Sequence, residues 1–158
     1  MPILVKCNEW TGESKVTGFE DHFEVTSFNF GVGRAISSAR GTSAREGNIV
    51  SVSEITLSKV SDKVSIKLFE EALIGPLSRH VDIKFVRQGA GNKPVAFITI
   101  KLDGCGISGF SMSSGGDRPA ETLTLNFDKV EYEYNPVADD LTGQPLKYSW
   151  NLATAKGA

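Results

Sequence analysis

Residues 121–136 place two alternating apolar patterns end to end, out of phase by one residue. Leu123, Leu125 and Phe127 fall on odd positions with Thr124 and Asn126 between them; Val130, Tyr132 and Tyr134 fall on even ones with Glu131 and Glu133 between. Successive side chains of a strand point to opposite faces, so each pattern describes a strand with one buried face, and the slip would turn the second half inside out. One extra residue near Asp128 and Lys129 restores a common inward face. The pattern therefore predicts a β-bulge in one long bent strand; two shorter strands joined by a tight Asp-Lys turn are the alternative. A second slip falls at Thr26 and Ser27, between Phe23 and Val25 on one parity and Phe28 and Phe30 on the other. Bent strands of this kind belong to a barrel or a folded-over sandwich.

The other segments fill in such a fold. At 158 residues the chain fits a single domain, residues 1–158, able to bury a core without staples. Ile3, Val5 and Cys7 alternate in a first strand; Val81, Ile83 and Phe85 alternate in another, followed by a hairpin loop over residues 88–93 and a return strand opened by Pro94. Residues 49–60 and 95–102 carry apolar side chains on both parities, which predicts strands covered on two faces. Residues 105–112 read as a further strand whose glycines permit sharp bending, and Leu146, Tyr148, Trp150 and Leu152 share one face of the last strand. One helix is expected at about residues 62–74, with Ser61, Asp62 or Ser65 as N-cap and Gly75-Pro76 as the stop. Ile66, Leu68, Phe69, Ala72 and Leu73 would face the core, leaving Lys67, Glu70 and Glu71 in water. The tail, residues 153–158, is expected to fray.

Residues 31–48 form a long extended loop rich in Gly and Ser, with neither helical nor strand periodicity. Connections longer than roughly 12 to 15 residues without structure of their own are usually functional or disordered. Gly31-x-Gly33 lacks the third glycine, the Gly-Lys-Ser/Thr and the following helix that phosphate binding needs. Arg34, Arg40 and Arg45 instead spread three cations along an arm that either stays solvated or orders against another protein surface.

Charge and reactive residues exclude several function classes. A net charge of -2, from 17 basic and 19 acidic residues, gives no general pull toward nucleic acid or an acidic membrane. Cys7 and Cys105 stand apart, with no Cys-x-x-Cys pair and no nearby His, so two buried thiols are expected in place of a zinc site or disulfide. Asp139 and Asp140 lack the alternating spacing of a calcium loop, and no metal or cofactor is signalled. The two histidines, His22 and His80, sit beside alternating apolar residues as strand-edge or surface side chains, without a Gly-x-Ser-x-Gly or other partner motif. The start of the chain has no basic, apolar and small-residue sequence typical of a signal peptide, and no run is long enough to span a membrane; export would need a dedicated machine. These residues describe an assembly or binding protein and not an enzyme.

At this point the chain resembles the hemolysin-coregulated protein family, Hcp, of bacterial type VI secretion systems. The resemblance runs through residues 25–34 (Val-Thr-Ser-Phe-Asn-Phe-Gly-Val-Gly-Arg), the helix after Asp62, residues 80–89 and residues 107–112. It continues through residues 123–134 (Leu-Thr-Leu-Asn-Phe-Asp-Lys-Val-Glu-Tyr-Glu-Tyr) and residues 147–151 (Lys-Tyr-Ser-Trp-Asn), covering nearly the whole chain in order. It implies a mainly β fold, a two-sheet β-barrel with one flanking helix like that of phage tail-tube subunits. It further implies a structural subunit that forms homo-hexameric rings, which stack into a tube, meet sheath and spike proteins and can hold effector proteins in the lumen. Such a protein is made in the bacterial cytoplasm and secreted by the type VI apparatus. Doubly apolar strands agree with head-to-tail contacts that close into a ring, and the arm with Arg34, Arg40 and Arg45 is the candidate ring-stacking segment. A small-ligand or carbohydrate-binding barrel, reporting through Trp10, Tyr132 and Trp150, is the rival reading; a hydrolase dependent on His22 or His80 is a third.

Overall fold

The computed structural model describes residues 1–36, 47–136 and 143–158. In chain order its elements are β1 (Ile3–Lys6), β2 (Phe23–Val25), β3 (Ser27–Asn29), β4 (Val32–Ile36), β5 (Gly47–Val52) and β6 (Ile55–Val60). The helix α1 (Ser65–Ile74) follows, then β7 (Arg79–Gln88), β8 (Pro94–Ser113), β9 (Ala120–Asn126), β10 (Lys129–Tyr134), β11 (Leu146–Asn151) and β12 (Lys156–Gly157). The fold is thus mainly β, with two sheets and one flanking helix.

Ten strands form one ladder that folds over into two layers sharing β8, and β4 with β5 forms a separate two-stranded sheet. The first part of β8 lies between β7 and β10, its second part pairs with β9. From β7 the ladder passes to β1 and β2; from β9 it passes to β6 and β3. Only Thr26 separates β2 from β3, so two ends of the ladder that do not pair with each other are joined by a bend in one continuous stretch. Thr26 fixes that bend by donating both its backbone N–H (2.7 Å) and its hydroxyl (3.1 Å) to the Ser58 carbonyl. The odd residues of β6, β7 and β9 point inward, and Trp10, Phe23, Leu57, Leu68, Ile83, Leu102, Leu123 and Leu125 are buried in one core.

Both phase slips are corners between sheets. β9 ends at Asn126 and β10 begins at Lys129; the two do not pair with each other but with opposite ends of β8. The expected bulge inside one long strand is therefore replaced by two strands. The offset lets the chain cross from sheet to sheet with both Phe127 and Val130 buried, while Asp128 N–H donates to the Asp103 carbonyl at 3.0 Å. β8 turns its own corner at Gly104, whose φ of 60° favours glycine and where a Cβ would stand 2.4 Å from Asp128 Oδ2. Residues 49–60 likewise divide between β5 and β6 in separate sheets, so their mixed parity marks a break and not a strand covered twice. In β8 the outward Phe97 is partly covered from within the chain, with the Arg87 guanidinium 5.9 Å from its ring centre.

Four further expectations are corrected. The segment expected as a structureless loop is partly a two-stranded ribbon, β4 paired with β5. The tail does not fray: β12 pairs with β11, and Ser149 and Ala158 exchange backbone hydrogen bonds of 3.0 and 2.9 Å. His22, expected at a strand edge or on the surface, lies just before β2 and is buried. Helix α1 is rotated relative to the expectation: Leu68 and Ala72 face the core and Glu70 faces water as expected, but Glu71 is buried and the rest of the apolar side is not. It buries Ser65, Leu68 and Glu71 while Ile66, Phe69, Leu73 and Ile74 are 76%, 51%, 68% and 79% exposed. The apolar side of this helix faces out because its inward side is tied by ion pairs.

Candidate assembly surfaces

Among the described residues, three apolar surfaces remain open on the barrel. The first is the ribbon, rooted where Gly31 and Ser53 exchange hydrogen bonds of 2.8 Å. Its Val32, Ile36 and Val50 are exposed. A groove of about 450 Å³ runs between Phe30 with the ribbon residues Val32, Val50 and Val52 and the sheet residues Val130, Tyr132, Tyr148 and Trp150. The second surface continues from this groove along β10 and β11. Val130 closes the core, but Tyr132 and Tyr134 on the same parity run past it and stand exposed, with Leu146 and Tyr148 opposite on β11. The third is the outer side of α1, where Phe69 meets Phe110 edge-on at 5.9 Å and Leu77 extends the patch. Exposed apolar groups gathered this way mark interaction surfaces more often than chance scatter does.

Arg34 lies on β4 opposite Val50, exposed at the groove mouth. Arg40 and Arg45 fall outside the described residues. Arg34 is therefore the one proposed stacking residue that the structure places, at an apolar groove.

Two buried ion-pair systems position the helix, and sequence reasoning missed both. Lys59 and Glu121 are direct partners across β6 and β9, and both side chains are fully buried. Lys59 Nζ donates to Glu121 Oε2 at 3.1 Å, Asp62 Oδ1 at 2.8 Å and the Val60 carbonyl at 2.9 Å. Ser61 Oγ donates to Glu121 Oε1 at 2.7 Å and Ser65 Oγ to Oε2 at 2.8 Å, so the first residue of α1 is held by the barrel. Burial pulls the Glu121 carboxyl upward, but the hydrogen bonds from Ser61, Ser65 and Lys59 outweigh it and hold its pKa below the usual carboxylate value. The second system holds the middle of the helix. Arg79 on β7 grips Glu71 with two donors, at 2.7 and 3.3 Å, and reaches Glu9 at 3.0 Å. Desolvation raises the Glu71 pKa less than Arg79 and Lys67 lower it. The signal available in the sequence was parity: Lys59 follows Ile55 and Leu57, and Glu121 precedes Leu123 and Leu125, on the inward face of each strand.

The reactive side chains are engaged or shut in. Burial, reinforced by the Glu9 carboxylate that accepts from its Sγ at 3.0 Å, pushes the Cys7 thiol up to about 12. Burial does the same to Cys105, also to about 12, and both are free thiols. Burial lowers the pKa of His22, whose Nδ1 lies 3.1 Å from the Glu20 carbonyl. His80 is exposed and bridges Asp82 and Asp103, the Asp103 hydrogen bond raising its pKa. Among the described residues no group of three or more His, Cys, Asp or Glu side chains is arranged to hold a metal ion.

An antiparallel, folded-over β-barrel that carries apolar groups outward on an arm, a sheet end and a helix belongs to the mainly β class with one flanking helix. Comparison with known proteins narrows this class: the family described as "Type VI secretion system effector, Hcp" matches residues 4–134, and the chain belongs to that family. It is 31% identical over 107 residues to "Protein hcp1" of Pseudomonas aeruginosa, an alignment that spans 65% of this chain and 65% of that relative's length. The fold superposes on a solved structure described as a type six secretion system protein with a TM-score of 0.88, at 25% identity over 99% of both chains. It also superposes on Hcp1 from Salmonella typhimurium with a TM-score of 0.78, at 19% identity over 99% of this chain and 98% of the other, a likeness of fold.

Proposed function

We propose that this chain is a structural subunit of a type VI secretion inner tube. In this reading six copies close into a ring, rings stack, and the tube is exported with effector proteins in its lumen, in contact with spike and sheath proteins. The work is mechanical and steric, and no bond is made or broken. Synthesis in the bacterial cytoplasm and export through the type VI apparatus follow from the same reading. The observation that carries it is the match to the Hcp family along residues 4–134. The outward apolar surfaces agree with it, because distinct patches on one chain support the head-to-tail contacts from which rings and stacks are built.

Light scattering on the purified protein tests the ring: six chains of 17.0 kDa are expected in one particle, and a mass of one chain at high concentration rejects it. The arm is tested separately. Deleting residues 37–42 is expected to leave hexamers intact and weaken tube formation, and unchanged tubes reject a stacking role for the segment carrying Arg34, Arg40 and Arg45. The groove beside Tyr132, Tyr148 and Trp150 favours a second reading, a small-ligand or carbohydrate-binding barrel. That reading predicts a monomer whose tryptophan fluorescence responds saturably to an added sugar.

A further inference from the structure

We infer that α1 is an acid-releasable element, held on the barrel by two buried carboxylates more than by apolar contact, and that it undocks in acid while the barrel stays folded. The argument starts from which side of the helix is buried. A surface helix ordinarily docks through an apolar stripe, but this one turns Ile66, Phe69, Leu73 and Ile74 to the outside and buries Ser65 and Glu71. Leu68 is its one fully buried large apolar side chain, helped by Val64 just before the helix and by the partly buried Ala72. The helix has ten residues, no acidic side chain in its first turn and no basic one in its last, so little else favours it in isolation.

Each tether depends on a charge. Glu121 faces Lys59 from β6, Ser61 and Asp62 from the turn, and Ser65 from the helix. Glu71 faces Arg79 from β7 and Lys67 one turn back, with Glu9 sharing the Arg79 guanidinium. Protonating Glu121 leaves a buried ammonium with Asp62 as its remaining carboxylate; protonating Glu71 leaves Arg79 paired with Glu9. Removing one side of a buried pair is far costlier than losing an exposed one. Both carboxylates have depressed pKa values, so their contribution is complete above the ordinary value of 4.5 and is lost as pH falls through the folded values. The barrel seam beneath does not rest on them alone, because β6 and β9 also pair Leu57 with Leu123 and Ile55 with Leu125 in the core.

Methyl NMR of the full chain between neutral and acid pH tests this, following Leu68 for the helix and Ile83 and Leu125 for the barrel. The expected result is that the Leu68 methyls move to a solvent-exposed position at a higher pH than any loss of the Ile83 and Leu125 signals. Glu71→Gln should raise the pH of that release by about one unit, equivalent to tenfold in proton affinity, and it leaves the β6–β9 seam untouched should Glu121→Gln not fold. Replacing the other tether by an apolar pair, Lys59→Met with Glu121→Leu, should lower the release pH. Simultaneous loss of all three signals in the wild type, or a release pH unmoved by Glu71→Gln, overturns the inference.

Discussion

Lys59 and Glu121 are neighbours across one register of the sheet and buried counter-charges to each other, with Asp62 also pairing Lys59 and with Ser61 and Ser65 donating to Glu121. Replacing Lys59 by Met leaves Glu121 without its buried cation and is expected to cost about 3–5 kcal/mol, read as a lower urea midpoint. Adding Glu121→Leu should recover most of that loss, and a double variant no better than the single would contradict the pairing. His80 works in the opposite pH direction. Its pKa is raised by the Asp103 hydrogen bond, with Asp82 adding to it, so its contribution is present below the ordinary 6.5 and lost as pH rises through the folded value. Because His80 is exposed, the effect is below about 1 kcal/mol, and His80→Asn should flatten the stability profile above 6.5 without moving the acid limb. Both Lys59 and Glu121 were readable from parity. Their charge argued for solvent, and only the pairing of β6 with β9, a contact across 62 positions of chain, shows why they can be inside.

At the scale of elements, corners decide the shape. Gly104 takes a left-handed conformation and leaves room for Asp128, so Gly104→Ala should destabilise by roughly 1–3 kcal/mol, more than the same change at Gly115, where added atoms meet open space. Thermal unfolding of the two variants makes the comparison, and equal effects would contradict a packing role for Asp128 at the corner. The slips at Thr26 and after Phe127 were legible as bends because parity is a local property of the chain. That they join different sheets was not legible, since a strand's partners are absent from its own pattern. The helix shows the converse difficulty. Its existence and stop were plain from Asp62, Gly75 and Pro76, but a wheel projection assigns the apolar side to the core, and here Arg79 and Lys59 decide the orientation instead. The ribbon escaped notice because its strands are short and its apolar residues, Val32, Ile36 and Val50, are exposed and not packed into the barrel's core.

For the whole molecule, the barrel buries its core within one chain and leaves several large apolar groups exposed outside it. The ribbon, the Tyr132–Tyr148 end of the sheet and the outer side of α1 all offer apolar surface, and the proposed ring gives such surfaces sister subunits to meet. Tyr132→Lys and Tyr148→Glu sit beyond the buried Val130, so each should leave the melting temperature of the isolated chain nearly unchanged while weakening assembly. Sedimentation of the variants checks this, and loss of folding in either would place these tyrosines in the core instead. Membership of the Hcp family was legible from the ordered strand patterns; the surfaces were not, because alternation tells which face is apolar and not how far the core extends along it. The most direct measurement is electron microscopy of the purified protein with class averaging. The account predicts six-fold annular particles with an open centre, some of them stacked, and a uniform field of single small particles at high concentration would contradict it.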